Sequence, residues 1–347
     1  MNKPASISAV LELMRVRLLE VLREPEALFW MFIFPVLMAV ALAVAFPART
    51  TDTIVSGVVI QGNSEAIVGA LRQVPGITVR VLDPREVDRV LQQAQVQIVV
   101  EPGPPPRYHY DPARPESRLA RRAVDDALQR AAGRRDPLAT TDVQVSVAGS
   151  RYIDWLVPGL LGMTIMSDSL WGVGFSIVQA RSRKLLKRLI ATPMRRTEYL
   201  LGQALARLLF LVFELGVLLS VGHWAFGVPI NGSWGSVVFV SVLGALGFAG
   251  LGLLAASRAR TVEALSGLLN FILLPMWILS GVFFSSSNFP DAVQPLIQAL
   301  PLTALNDALR GVMLEGASLR ALGAELLILT AWGSLSFALA VRLFRWR

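Results

Sequence analysis

Seven basic side chains crowd into RSRKLLKRLIATPMRRTEYLLGQ, residues 181–203: Arg181, Arg183, Lys184, Lys187, Arg188, Arg195 and Arg196. Cations at this density dock rather than catalyse. Their partners are lipid headgroups, nucleic-acid phosphates or an acidic protein surface. Leu185, Leu186, Leu189 and Ile190 fall on one helical face, Lys184, Lys187 and Arg188 on the other. Pro193 then breaks the helix two residues before Arg195 and Arg196. A short amphipathic helix parallel to a membrane is expected. As a lipid anchor it would gain about 1 kcal/mol per basic residue near the surface. Tyr199 is the only aromatic residue in the stretch. Without a stacking platform, and tight against a bilayer, nucleic acid is not an expected partner.

Other reactive chemistry is scarce. There is no Cys, so disulfides and thiolate metal sites are excluded. Only His109 and His223 exist, and neither opens an H-E-x-x-H pair. Lys3, Lys184 and Lys187 follow Asn, Arg and Leu, so no Lys follows Gly and a Walker A loop is absent. No G-x-S-x-G stands in the sequence either. Neither catalytic residues nor metal ligands are expected, and no cofactor bound by this chain.

The remaining polar groups of interest sit inside apolar runs: Asp168, Glu214 and Asn270, with Arg207 nearby. A charge at the centre of a spanning helix costs at least ~2.5–3.5 kcal/mol, so such groups face a bundle interior or a wet cavity. Arg207 precedes Glu214 by seven residues. They share nearly one helical face but lie two turns apart, too far for an ideal direct pair. Asp168, Glu214 and Asn270 are therefore candidates for a translocation path or a dimer seam. A structural hydrogen-bonding role is the alternative.

The elements that must position these groups follow from composition. Of 347 residues, 54% are hydrophobic and 17% charged, against roughly a quarter charged in a soluble domain. The deficit is concentrated in uncharged runs of the length that crosses a bilayer, about 20 residues each. The fold class expected is a polytopic α-helical membrane protein with six transmembrane helices and an inserted extracytoplasmic α/β domain. Residues 1–26 read as an interfacial amphipathic helix, with Val10, Leu13, Met14 and Leu18 at helical spacing among arginines. An ordinary cytosolic lead-in helix is the alternative. No typical secretory signal precedes the first apolar run.

The first span is placed at 27–46, and five more at about 155–179, 204–226, 236–257, 263–284 and 321–342, all within 152–347. The fourth span carries Gly244, Gly247, Gly250 and Gly252, which allow close helix approach without forming a clean G-x-x-x-G. In 47–151 the β-branched runs TIVSGVVIQ, ITVRVL and VQIVVE, with RYHYD, alternate with the helical patterns SEAIVGALRQ, PREVDRVLQQA and ESRLARRAVDDALQRA. That alternation predicts a compact α/β domain. Residues 285–318 are apolar but interrupted by Pro290, Pro295 and Pro301. They read as a pair of short external helices dipping into the bilayer, or as a surface hairpin.

Orientation follows from Lys and Arg in short loops. The loop at 180–200 has seven, SRARTVEA at 257–264 has Arg258 and Arg260, and GVPINGSWGS at 227–236 has none. This places both termini and the basic loop in the cytoplasm, since long translocated domains escape the rule. The net charge of +8 reads the same way.

Four stretches in this order, LREPEALFWMFIFP (22–35), YIDWLVPGLLGM (152–163), LLKRLIATPMRRTEYLLGQ (185–203) and LPLTALNDALRGV (300–312), resemble the membrane subunit of a type-2 ABC exporter, in the branch with a large external domain between the first two spans. The resemblance implies a permease of the bacterial cytoplasmic (inner) membrane that moves a drug, lipid or other amphiphile outward. It implies a separate ABC ATPase subunit holding ATP and Mg, a homodimer or a paralogous permease, surrounding lipid, and a periplasmic adaptor as a further partner. The basic loop becomes a coupling element, its contacts drawn from Arg183, Lys184, Lys187, Arg188, Leu189, Thr192, Pro193, Arg195 and Arg196. The family often alternates Glu and Arg with a Gly ahead of this stretch. Here Ala180, Arg181, Ser182, Arg183 and Lys184 occupy that region, leaving the loop more basic than usual. Two other classes remain open beside the exporter. One is a membrane-anchored sensor or assembly protein using its external domain; the other is an ion-coupled secondary carrier using Asp168 and Glu214.

Overall fold

The computed structural model describes residues 7–46, 54–62, 64–135, 151–182, 196–259 and 261–343. The chain divides into two compact units, one of Met1–Ala48 with Ser146–Arg347, the other of Arg49–Val145.

The first unit is helical. Helix α1 (Ile7–Leu22) leads to α2 (Pro25–Ala45), the first of six helices long and apolar enough to cross a membrane. A π-helical turn at Phe29–Ile33 precedes Pro35 in α2. The other five are α6 (Tyr152–Ser182), α7 (Arg196–Ser220, continued by a π turn to Ala225), α8 (Trp234–Arg258), α9 (Val262–Leu279) and α12 (Gly323–Leu343). Local chemistry sets several ends. Ser233 and Thr261 cap the N-termini of α8 and α9 by accepting from Gly235 N and Ala264 N. α9 stops at Leu279, short of the expected 284, because Gly281 takes a left-handed φ of +71° just beyond Ser280.

Helices α6 and α8 make the centre, with 67% and 61% of their apolar windows buried, against 11%, 22% and 17% for α2, α9 and α12. The glycines of α8 serve three neighbours rather than one seam. A Cβ at Gly244 would meet Leu305 at 2.8 Å, and one at Gly252 the carbonyl of Leu170 at 2.7 Å. Between them Gly247 faces Gly333 of α12 across a backbone contact. This is why no G-x-x-x-G repeat appears: each glycine answers a different helix.

Between α9 and α12 stand α10 (Gln294–Gln298) and α11 (Pro301–Met313). Twelve residues of α11 are buried, and it packs on α6, α8 and α12. A helix with one exposed residue belongs to the bundle core, whereas α10 buries only Ile297.

The second unit holds β1 (Ile54–Val59), α3 (Ser64–Arg72), β2 (Ile77–Leu82), α4 (Val87–Gln92), β3 (Ile98–Glu101), β4 (Arg107–His109) and α5 (Pro115–Ala131). Strand order is β2-β1-β3-β4; β1 pairs in parallel with both β2 and β3, and β4 runs antiparallel on β3. Val58, Ile98 and Val100 pack on one face with Leu71, Ala120 and Val124 from α3 and α5. Val59, Leu82 and Val99 pack on the other with Val90 of α4. A central parallel strand buried on both faces explains the nearly unbroken apolar run of β1 and β3.

Candidate functional site

The intramembrane charges converge between α6 and α7. Arg207 Nη1 and Nη2 donate to Glu214 Oε1 and Oε2 at 2.5 and 3.1 Å, a bidentate pair. Its Nε donates to Ser169 Oγ at 3.0 Å, and Nη2 also to the carbonyl of Ile165 at 3.4 Å. The expected failure of a seven-residue pair is therefore corrected. Two turns of helix rise about 10.5 Å, and an extended guanidinium plus a carboxylate arm span that gap where buried packing holds both rotamers. Glu214 is fully shielded and Arg207 is 8% exposed.

Asp168, on the same stretch of α6 as Ser169, lies against the Glu214 carboxyl. Its Oδ2 has no hydrogen-bond partner among the described residues. It lines a small cavity of about 40 Å³ with Arg207, Val21 of α1, Met31 of α2 and Phe210 of α7. Asn270 does not join this group; it is exposed on α9. Two carboxyls and one guanidinium thus tie α6 to α7 inside one subunit, and a void reaches them from the α1–α2 side.

Of the basic loop, Arg183, Lys184, Lys187, Arg188, Leu189, Thr192, Pro193 and Arg195 lie outside the described residues, as does the Arg196 side chain. Arg181 is described. Its Nη1 donates to the carbonyls of Ala256 and Ala259 at 3.1 and 2.7 Å. A cation on the last carbonyls of α8 caps that helix and meets the negative end of its dipole. One of the seven basic residues therefore fastens α6 to α8.

The sequence model of the ABC-2 type transporter matches residues 122–314, more than half of the chain. The chain belongs to the ABC-2 type transporter family. It is 28% identical over 193 residues to the probable multidrug ABC transporter permease YbhR of Escherichia coli, covering 54% of this chain and 52% of that one. It is 26% identical over 180 residues to the linearmycin resistance permease protein LnrN of Bacillus subtilis, covering 51% and 46%. With the inner membrane transport permease YadH of Escherichia coli it shares 29% over 166 residues, 47% of this chain and 63% of the relative. The chain spans about half the length of the first of these relatives. Six of its described helices are long and apolar enough to cross a membrane.

The matched segment runs from α5 through α11 and so contains every residue of the Arg207 cluster. It also contains polar groups of the permease that sequence reasoning passed over. Asn306 and Arg310 are buried on α11. They were legible only as members of LPLTALNDALRGV, although i, i+4 spacing places them on one helical face. Arg151, outside the spans, donates to Asp154 at 2.7 Å and to the carbonyl of Gly227 at 2.9 Å. The hydrogen bond to Asp154 holds its pKa above the ordinary value, burial opposing.

Proposed function

We propose that the chain is the membrane-spanning permease subunit of an ATP-driven exporter, working with a separate ABC ATPase that binds ATP and Mg. The family match is the observation that carries this reading, together with a cationic stretch between the second and third spans. ATP binding on the partner closes two coupling elements, one from each of two permease subunits, identical or paralogous. The two bundles then rock and pass the substrate outward. This chain binds no nucleotide of its own.

The Lys and Arg distribution supports a bacterial inner-membrane protein with both termini and the 180–200 loop in the cytoplasm. The α/β unit of Arg49–Val145 is then extracytoplasmic, open to a periplasmic adaptor. Two relatives are named for multidrug handling and linearmycin resistance, which supports a drug or other amphiphile as substrate. Glu214 is paired by Arg207 rather than free to exchange an ion, which favours the exporter over an ion-coupled carrier.

Docking depends on shape as well as sign. On this reading Leu185, Leu189 and Ile190 contribute the apolar shape of the docking surface, and Arg188 and Arg195 its charge. Removing one member of a buried charge pair costs ~2–5 kcal/mol of affinity, far more than one headgroup contact. The test is purification from native membranes with the associated ATPase. Arg188→Glu with Arg195→Glu should leave the chain inserted but release the ATPase and abolish stimulated turnover. Normal retention and turnover would reduce the loop to a lipid anchor.

A further inference from the structure

At the end of the bundle away from the basic loop, the turn that follows α9 is held through its backbone. Asn306 Nδ2 donates to the Ser280 carbonyl at 2.9 Å. Arg310 Nη2 donates to the Gly281 carbonyl, and Tyr152 Oη donates to the Phe283 carbonyl at 3.0 Å. Three of four successive carbonyls, 280–283, thus accept side chains from α11 and α6.

Arg310 also reaches α6 itself. Its guanidinium carbon stands 3.5 Å from the centroid of the Trp155 ring, and its Nη2 donates to the Trp155 carbonyl at 3.4 Å. Glycines make room for this. A Cβ at Gly162 would fall 2.0 Å from Asn306 Oδ1, and one at Gly159 would fall 3.0 Å from Arg310 Nη2.

The two buried arginines are held differently. Arg207 has a bidentate carboxylate, an interaction that costs a great deal to break. Arg310 has carbonyls and an aromatic face, and its nearest carboxylate, half-exposed Asp307, lies 3.6 Å away. At this turn Trp155 Nε1, Ser280 Oγ and Asn306 Oδ1 are all buried without a hydrogen-bond partner among the described residues. Each such group is costly to leave unpaired in a buried site. This arrangement is therefore held mainly by neutral acceptors, with one long ion pair to half-exposed Asp307, amid spare hydrogen-bonding groups that a shifted turn can use. That is the condition for a bistable element rather than a permanent clamp.

We propose that Asn306 and Arg310 are positioning residues that latch the Ser280–Phe283 turn against α6 and α11, closing the outward end of the permease, and that the latch opens in each transport cycle. This rests on the exporter reading and its orientation.

The chain has no Cys, so Ser280→Cys is a background-free probe. Ser280 is fully buried, and its Oγ has no hydrogen-bond partner among the described residues. The full chain carrying Ser280→Cys, purified with its ATPase and reconstituted, is exposed to a charged maleimide with and without ATP and Mg. Labelling should be slow at rest and at least about tenfold faster during turnover, as a minor open state becomes populated. Adding Arg310→Lys, which keeps the charge but loses the fork and the ring stack, should give the fast rate without ATP. Equal rates with and without ATP in a complex that hydrolyses ATP would overturn the latch. If no ATPase co-purifies, the exporter reading fails, and the Arg310→Lys comparison alone decides the latch. Should Arg310→Lys not fold, the Ser280→Cys rates with and without ATP still decide it.

Discussion

The Arg207–Glu214 pair is the place where structural and transport roles can be separated by energy. Replacing Arg207 by Met removes two charge-assisted bonds to Glu214 and one each to Ser169 and Ile165. It leaves a shielded carboxylate beside Asp168 with no cation. Breaking a buried pair from one side costs about 3–5 kcal/mol. That is about a fifth or more of a typical total stability of about 5–15 kcal/mol. Glu214→Leu should cost less, because Asp168 still stands near Arg207. The combined variant Arg207→Met with Glu214→Leu, built with Asp168→Asn so that no carboxylate is left without its cation, removes every charge of the cluster, and such replacements by well-packed apolar residues are often neutral or stabilising by about 1–4 kcal/mol. The four proteins are heated in one mild detergent while tryptophan fluorescence and monodispersity are followed. The expected order of stability is wild type near the combined variant, then Glu214→Leu, then Arg207→Met. A combined variant as weak as Arg207→Met, or an Arg207→Met protein as stable as wild type, would refute the argument. In a stable combined variant, coupled ATP turnover then reads out the transport role: normal turnover makes the cluster scaffold, and loss assigns it to the path.

Four further outcomes are expected. A single Cys at Gln97 should react with an impermeant reagent from outside, and one at Thr192 only after permeabilisation; reaction of both from one side would sink the six-span orientation. Gly252→Ala should lower stability by about 1–3 kcal/mol, since its Cβ would meet the Leu170 backbone at 2.7 Å and a backbone cannot step aside. Gly267→Ala on exposed α9 meets nothing within 4 Å and should stabilise by up to about 1 kcal/mol in the same heating assay. Burial and the hydrogen bond to Asp125 push the Tyr108 phenol up to about 12, Arg121 opposing. The fold favours the neutral phenol, so its contribution is fully present below the ordinary pKa of 10 and lost as pH rises through about 12. Phenolate absorbance of wild type minus Tyr108→Phe should titrate near pH 12; a difference midpoint near 10 would count against that environment.

Membership of a membrane class, the number of spans and the helices and strands of Arg49–Val145 were all legible in the sequence. These are local, periodic signals: a bilayer demands about 20 apolar residues in a row, and a sheet buried on both faces demands β-branched runs. Capping residues such as Thr261 and the helix stop at Gly281 are likewise local, although the stop was placed at 284. Loop charge supplied an orientation to test for the same reason. Which polar and small residues meet is settled by packing instead. Arg207 and Glu214 join across two turns because packing fixes both side chains, an outcome that helical spacing argued against. Asp168 joins them and Asn270 does not. Asn306 and Arg310 lay unread within a motif, because their partners Ser280, Gly281 and Trp155 stand on other elements, Trp155 as many as 155 residues away. Neither helical period nor composition carries that information; it exists only once α6, α9 and α11 are packed, where glycines at 159 and 162 clear the space.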